Sequence, residues 1–510
     1  MSLLDLILTY DIGTTACKSM LFRVDGTVVA MAEQEFPTRH PKPMWAEQDP
    51  DDWWNAVIST TRSLIQGRER DRVLGIGLSS QRETIVPVDK DGNKLADAIL
   101  WMDRRTAKEA QDLSSHFGRE NLHRVTGMIP DATFSATKLW WLKRHQPEII
   151  RQAYCFLQPK EYICLKLTGQ FTTDYSLASR TMMLDTRKLC WFDDIFDVIG
   201  VSKEQMPPIY HSDEVVGRVT PEAAALLGIQ SGIPVVAGGG DRQCEALGAG
   251  IFGSRAMEST GTTSNISCAS DHVMEDLDIR VVCSVHTLRG HWLIEQGLTT
   301  SGSILRWFRD TFCYQEQLEA ASRGVSVYSI IDEMVERSTP GSNKLLMLPF
   351  FMGAKATRWN PAARGAFLGA TLGHTRADFA RAIMEGVAFE LRACLDILKG
   401  IGIEPSEIVS MGGGSRGDVW NQIRADVTGR PVVVPRVTDA ASLGAMILAA
   451  KGAGVVDDVA EASVTLNPPQ KRYTPDADAQ AIYDQLYPIY NDFYAAVEDL
   501  FERLEAVRTE

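Results

Sequence analysis

An α/β fold in two domains is what this sequence predicts, and three observations carry the expectation. The chain has 510 residues, more than one hydrophobic core ordinarily serves. Short apolar strands alternate with amphipathic helices along most of its length. A Gly-Thr-Thr turn inside a strand–turn–strand occurs at Gly13-Thr14-Thr15 and again past the midpoint at Gly261-Thr262-Thr263. Two domains of related design, each opening with such a hairpin, account for the recurrence, although a tripeptide alone is a weak repeat signal. The boundary is expected near residue 250, giving domains 1–250 and 251–510. No low-complexity segment or long Pro/Gly/Ser linker intervenes, so the domains are expected to pack edge to edge around a cleft.

The elements follow in order. Residues 6–10, 17–24 and 27–32 read as an antiparallel meander, with Asp25-Gly26 as the turn between the last two. Asp49 suits the N-cap of the next helix, Pro50 its first position, and Asp51 and Asp52 its positive first turn. Trp53, Trp54, Val57, Ile58, Thr61, Leu64 and Ile65 supply its apolar face. A strand over 73–78 ends in Ser79 to Thr84; 85–88 and 99–101 are read as continuing the sheet. Residues 104–230 are mostly helical, with Trp140-Trp141 on a helix over 137–145. A buried strand over 233–237 runs into Gly238-Gly239-Gly240-Asp241 and a helix over 242–247. Strands 256–259 and 266–268 frame the second Gly-Thr-Thr. Helices over 299–323, 376–399, 417–428 and 439–452 then alternate with strands 407–411 and 432–434, and a helix over 476–508 closes the chain.

Composition excludes several classes. Apolar residues make up 45% and charged residues 23%, as in an ordinary globular protein. A net charge of −14 with no basic block argues against nucleic acid and against an anionic membrane surface. It leaves room for a phosphate ligand, which backbone dipoles, a few cations and a metal can hold. Nine cysteines are scattered singly between Cys17 and Cys394 with no C-x-x-C pair, the usage expected of reduced thiols in the cytoplasm. No apolar run approaches the ~20 residues that span a bilayer. No basic stretch precedes Leu3-Leu4, so no leader is expected. No histidine pair has the H-x-x-x-H spacing of a zinc site.

Four glycine-rich turns follow strands, at 11–15, 238–241, 260–264 and 412–415, and suggest a site where backbone approaches a polyanion from several sides. In the first, Asp11 stands where a hydrated divalent metal can bridge it to phosphates; Asp-x-Gly also serves as a plain strand-end turn. In the second, three glycines clear the space around Asp241, which can accept the proton of an attacking hydroxyl or simply cap the following helix. Gln81-Arg82-Glu83-Thr84 offers a donor fork and an acceptor to vicinal hydroxyls, or forms a solvated turn. Trp101 before Asp103 and Arg104 can be a platform for a polyol or part of the core. The P-loop and the protein-kinase signatures are absent. Gly412 to Gly417 matches G-x-G-x-x-G between strand and helix, but the ribose-binding acid is missing after 432–434 and Asp439 arrives late. An NAD-dependent oxidoreductase is therefore kept as a rival, together with a non-catalytic nucleotide-dependent binding protein.

In order along the chain, these motifs resemble the FGGY family of carbohydrate kinases. Asp11-Ile-Gly-Thr-Thr15 resembles its first phosphate motif, and Trp45-Ala-Glu-Gln-Asp-Pro-Asp-Asp-Trp-Trp54 its Trp-x-Glu-Gln-x-Pro-x-x-Trp-Trp segment. Phe134 to Lys138 lies in the region of its first signature. Gly238 to Asp241 resembles its catalytic strand end, Gly365 to Gly369 with Ala382 to Glu385 its second signature, and Gly412 to Ser415 its adenosine loop. The resemblance implies two actin-like, ribonuclease-H-like ATPase domains flanking a central cleft, with sugar binding and catalysis in the first and nucleotide binding in the second. It implies ATP and Mg²⁺, and phosphorylation of a sugar or polyol hydroxyl, with Asp241 as general base and Asp11 holding the metal through water. Gly13, Thr14, Thr15 and Thr262 would contact phosphates, and Gly302, Gly412, Gly413 and Gly414 would lie near the nucleotide. Gln81, Arg82, Glu83, Trp101, Asp103, Asp241 and Arg242 are the expected substrate-binding residues. The expected partners are a small sugar or polyol and ATP/ADP, with a homodimer left open. Overall similarity favours the xylulokinase branch, and hence a ketopentose such as D-xylulose. Gln81-Arg82-Glu83-Thr84 instead resembles glycerol kinases, and Ser301 to Phe312 the autoinducer-2 kinases, so those acceptors stay open.

Overall fold

The computed structural model describes residues 5–65 and 72–507; Leu3-Leu4 and Arg508 lie outside the described residues. Two compact units emerge. The first takes the chain up to Gly250, then Ala269–Ile294 and Asp439–Asn467; the second takes Ile251–Cys268, Glu295–Thr438 and the chain from Pro468.

In the first unit the central strand is Val73–Ser80. Leu6–Ile12 runs parallel to it on one side, and Pro234–Val236 and Gly239–Gly240 run parallel on the other. Leu6–Ile12 continues antiparallel through Ala16–Arg23 to Val28–Glu35, the meander read from sequence. The near-complete burial of Leu6–Ile12 fits a strand covered on both faces, whereas Val28–Glu35 alternates as an edge should. Asp49 caps the helix Pro50–Leu64, its side chain accepting the Asp51 N–H at 2.9 Å. Residues 85–88 and 99–101 do not continue this sheet. Val86–Val88 pairs with Cys155–Leu157, and Ala98–Ile99 with Glu47–Gln48; the strands are too short and too turn-bounded to extend the central ladder.

The helix Ala440–Gly452 lies directly on this sheet. A Cβ at Gly77 would sit 2.1 Å from the Ala445 carbonyl, and one at Gly444 2.0 Å from the Cys244 carbonyl. Glycines let helix and strand backbones meet without side chains between them. The intervening helical stretch forms its own core, with Leu113, Leu122, Phe134, Leu139, Trp141 and Phe156 buried together.

The second unit repeats the topology. Arg255–Thr260 pairs antiparallel with Ser264–Ser270 and parallel with Glu407–Met411, which pairs in turn with Val432–Pro435. Its core is built around the helices Arg376–Gly400 and Ala477–Glu505, with Phe389, Tyr483, Tyr490 and Tyr494 in contact. The single helix expected over 299–323 breaks at Cys313 into Gly302–Phe312 and Tyr314–Arg323. A helix at Val327–Val335 was not read from sequence; Ser326 caps it, and Ile330, Ile331, Met334 and Val335 are its buried face. Among the described residues no helix is long and apolar enough to cross a membrane, and all nine cysteines are free thiols.

Candidate active site

The central strand of the first unit sets the geometry. Asp11 and Gly239 are both in register with Ser79, one on each side of it. At the usual strand spacing their backbones are about 10 Å apart, and Asp241 follows two residues later. Asp11 Oδ1 and Ser79 Oγ are buried with no hydrogen-bond partner. Burial pushes the Asp11 carboxyl up to about 6 and the negative charge of Asp241 adds to the shift, while the neighbouring Ser79 hydroxyl and the Lys18 ammonium oppose it. Lys18 itself pairs with Asp439 at 2.6 Å. An orphaned carboxylate oxygen beside a phosphate-type turn fits a hydrated divalent cation, which takes oxygen donors and keeps much of its water. Among the described residues no group of three or more His, Cys, Asp or Glu could hold a metal, so such an ion would rely on Asp11 and on phosphate oxygens.

The first hairpin is held from behind. Gly13 N–H donates to the Ala16 carbonyl at 2.9 Å. The Thr14 carbonyl accepts from Gln48 Nε2 at 2.6 Å, and Thr14 Oγ1 accepts from the Trp101 indole at 3.0 Å. Thr15 is exposed at the tip. Gln81, expected to touch substrate, is instead buried: its amide donates to the Gly13 carbonyl at 3.1 Å and accepts from Thr84. A buried amide must find partners, and these make Gln81 a brace for the hairpin. Asp103 departs from expectation for the same reason. It is fully buried, Arg105 forks onto both its oxygens, and the Ala46 N–H donates to it at 2.6 Å. It anchors Arg105, whose guanidinium stacks on Trp45 at 3.6 Å. Trp101 keeps an exposed face.

Asp241 stands at the end of the glycine-rich turn, at the start of a helix. Gly238 has φ +72 and leaves no room for a side chain against the Leu78 carbonyl. The chain then turns into the helix Asp241–Gly248, with Gly240, not Asp241, at the N-cap. The Asp241 side chain is 38% exposed; its Oδ1 accepts from Arg242 N–H at 2.7 Å and lies 3.3 Å from Arg82 Nε. Arg82 Nε is also 3.9 Å from Glu83 Oε1. Glu83 is buried in a left-handed backbone conformation, φ +62, its N–H donating to Gln158 Oε1 at 2.9 Å and its carboxylate accepting from Arg180 Nε at 2.5 Å. Lys138, fully buried, donates to the Thr133 carbonyl; burial pushes its amine down to about 7 against the pull of Glu83. Arg82, Glu83 and Asp241 therefore stand together. Arg242 adjoins them: its N–H donates to Asp241, its charge interacts with Asp241 and Arg82, and its guanidinium pairs with Glu245 at 2.7 Å. Arg180, Lys138, Ser79 and Gln48 were not singled out from sequence as site residues. Arg180 pairs with a residue 97 positions away, and nothing local marks it.

The second unit gathers its own set. The Gly261 and Thr262 carbonyls accept from Gly302 N–H at 3.1 Å and Ser303 N–H at 3.2 Å, seating the second hairpin on the start of the helix Gly302–Phe312. Gly412, with φ +71, and Gly414 approach Thr260 too closely for a Cβ, whereas Gly413 is exposed and faces open space. Beneath them Arg424 and Glu258 form a buried ion pair at 3.1 Å, and Arg424 Nη2 donates to Thr260 Oγ1 at 3.0 Å. Thr262, Gly302, Gly412, Gly413 and Gly414 are thus brought together around one strand end.

Each unit carries a sheet of the same design that presents a Gly-Thr-Thr hairpin, and the first adds an open carboxylate at a strand end, the kinds of group that phosphoryl transfer uses. The model for the N-terminal domain of the FGGY family of carbohydrate kinases matches residues 6–248, and that for its C-terminal domain matches residues 256–453. The chain belongs to the FGGY family of carbohydrate kinases and is a sugar kinase. It is 30% identical over 508 residues to the xylulose kinase of Bacillus subtilis (strain 168), covering 98% of this chain and 99% of that one. It is 29% identical over 500 residues to the gluconokinase of the same organism, covering 98% and 97%. The ligand-bound xylulose kinase of Lactobacillus acidophilus superposes with a TM-score of 0.89 at 27% identity, over 98% of this chain and all of that one.

Proposed function

We propose that the protein transfers the terminal phosphoryl group of ATP, with Mg²⁺, to a hydroxyl of a small linear carbohydrate in the cytoplasm, a ketopentose such as D-xylulose. The observation that carries this reading is the placement of Asp241: open to solvent, 3.3 Å from Arg82 and across the central strand from Asp11, whose Oδ1 is buried without a hydrogen bond. Asp241 takes the proton of the attacking hydroxyl. Arg82 donates to sugar oxygens and Glu83 accepts from a sugar hydroxyl, with Trp101 bordering them. Asp11 would hold Mg²⁺ through water; the ion, when bound, neutralises phosphate charge. Gly13, Thr14 and Thr15 in the first unit, and Thr262, Gly302, Gly412, Gly413 and Gly414 in the second, are the proposed contacts to nucleotide. The sugar-binding role falls to the first unit and the nucleotide-binding role to the second.

The names of the relatives support a sugar acceptor and divide between xylulose and gluconate. The Arg82–Glu83 pair also favours a second reading, a polyol such as glycerol. An ADP-release assay over D-xylulose, other pentuloses, hexuloses, D-gluconate, tetritols, glycerol and dihydroxypentanedione decides. D-Xylulose is expected to give the highest kcat/KM. A better acceptor in the panel replaces it, and ADP release that no member of the panel stimulates removes the small linear carbohydrate as acceptor.

A further inference from the structure

The Asp241 turn is gripped by a group that the catalytic scheme does not use. Gly240 N–H, buried, donates to Ser176 Oγ at 3.0 Å. Ser176 is the second residue of the short helix Tyr175–Ser179, whose N-cap Asp174 accepts the Ser176 N–H at 2.8 Å. Asp174 is itself fixed by Ser212 Oγ at 2.9 Å and by Lys160 Nζ at 3.0 Å, with both members of the ion pair buried. The line runs from Lys160 through Asp174 and Ser176 to the peptide immediately before Asp241. On the other flank, a Cβ at Gly240 would meet Gln243 Oε1 at 2.5 Å and Arg82 Cδ at 2.8 Å. The turn is therefore held between Ser176 on one side and Arg82 with Gln243 on the other.

A buried N–H without a partner is strongly disfavoured, so a chain lacking the Ser176 hydroxyl must move Gly240 to find one. Such a movement carries Asp241 with it. Catalysis by a positioned base is sensitive to displacements of about 1 Å, while Arg82 and Glu83, the proposed sugar contacts, sit on a different segment. We propose that Ser176 is a positioning residue for Asp241, acting through the Gly240 peptide and anchored by the Lys160–Asp174 ion pair. This rests on Asp241 being the general base.

The test uses the full-length protein with its best acceptor sugar. Ser176→Ala is expected to lower kcat at least fivefold with the sugar KM within threefold, and Ser176→Thr, which keeps the hydroxyl, to recover at least half of wild-type kcat. The same Ser176→Ala change made in Asp241→Asn protein is expected to have less than a twofold further effect, because the base it positions is gone. A smaller fall than fivefold, a proportional rise in KM, failure of the threonine variant to recover, or an undiminished effect in the Asp241→Asn background each overturns the proposal. The base reading fails separately, and by a different result: Asp241→Asn alone retaining more than about a tenth of wild-type turnover.

Discussion

Arg82 Nε lies 3.3 Å from Asp241 Oδ1, and the same nitrogen is 3.9 Å from Glu83 Oε1. One guanidinium thus ties the proposed base to the proposed sugar acceptor, although they stand on strand ends far apart in sequence. The contact engages Oδ1 of Asp241, which also accepts from Arg242 N–H at 2.7 Å.

Asp241→Asn is expected to leave sugar affinity within a few fold and to lower kcat by ~10²–10⁴, the contribution of a positioned base. Steady-state kinetics with a calorimetric sugar titration check both halves; affinity lost in parallel with turnover would assign Asp241 to binding.

Asp11 makes stability depend on pH in a definite direction. Its folded-state pKa is raised to about 6 from 3.8, so the proton is held more tightly in the folded chain. The associated stabilisation is full below 3.8 and is lost as pH rises through about 6. Asp11→Asn is therefore expected to be more stable than wild type by about 1–3 kcal/mol at pH 8 and within about 1 kcal/mol of it at pH 4, in urea unfolding without nucleotide or divalent cation. A difference independent of pH would contradict the assignment.

Arg180 is the main support of a buried carboxylate. Arg180→Met leaves Glu83 underpaired and is expected to destabilise by about 3–5 kcal/mol, whereas the double variant with Glu83→Gln recovers part of that loss. Equal, additive losses in the double-mutant cycle would show that the pair is not coupled.

Gly412 and Gly413 separate fold from ligand. Gly412→Ala forces a side chain at φ +71 to within 2.6 Å of the Thr260 carbonyl and is expected to destabilise by about 1–3 kcal/mol. A Cβ at Gly413 finds its nearest neighbour at 4.0 Å, so Gly413→Ala should leave stability within about 0.5 kcal/mol while raising the nucleotide KM at least fivefold. An unchanged KM would place the nucleotide elsewhere.

Hairpins and strand ends were the legible part of this chain, because their signals are local. Asp25-Gly26, Asp49-Pro50 and the apolar run before Gly238 each fixed an element by its own residues. The small pairings of Val86–Val88 and Ala98–Ile99 were misread because their partners, Cys155–Leu157 and Glu47–Gln48, are supplied by distant segments. The internal partners of Gln81 and Asp103 were hidden for a related reason. Polar side chains near a strand end look available in sequence, and only burial reveals that a carbonyl or an arginine has already claimed them. Arg180 and Ser176 stayed hidden because their importance lies wholly in what folds against them.

The helix Ala440–Gly452 has a consequence for biosynthesis. Translated late in the chain, it lies backbone to backbone on Val73–Ser80 and on the helix that begins at Asp241. A nascent polypeptide that has emerged only as far as Gly250 already carries Asp11, Arg82, Glu83 and Asp241, yet lacks the floor on which two of their supporting elements rest. The first unit is completed almost last, since Asp439–Asn467 belongs to it.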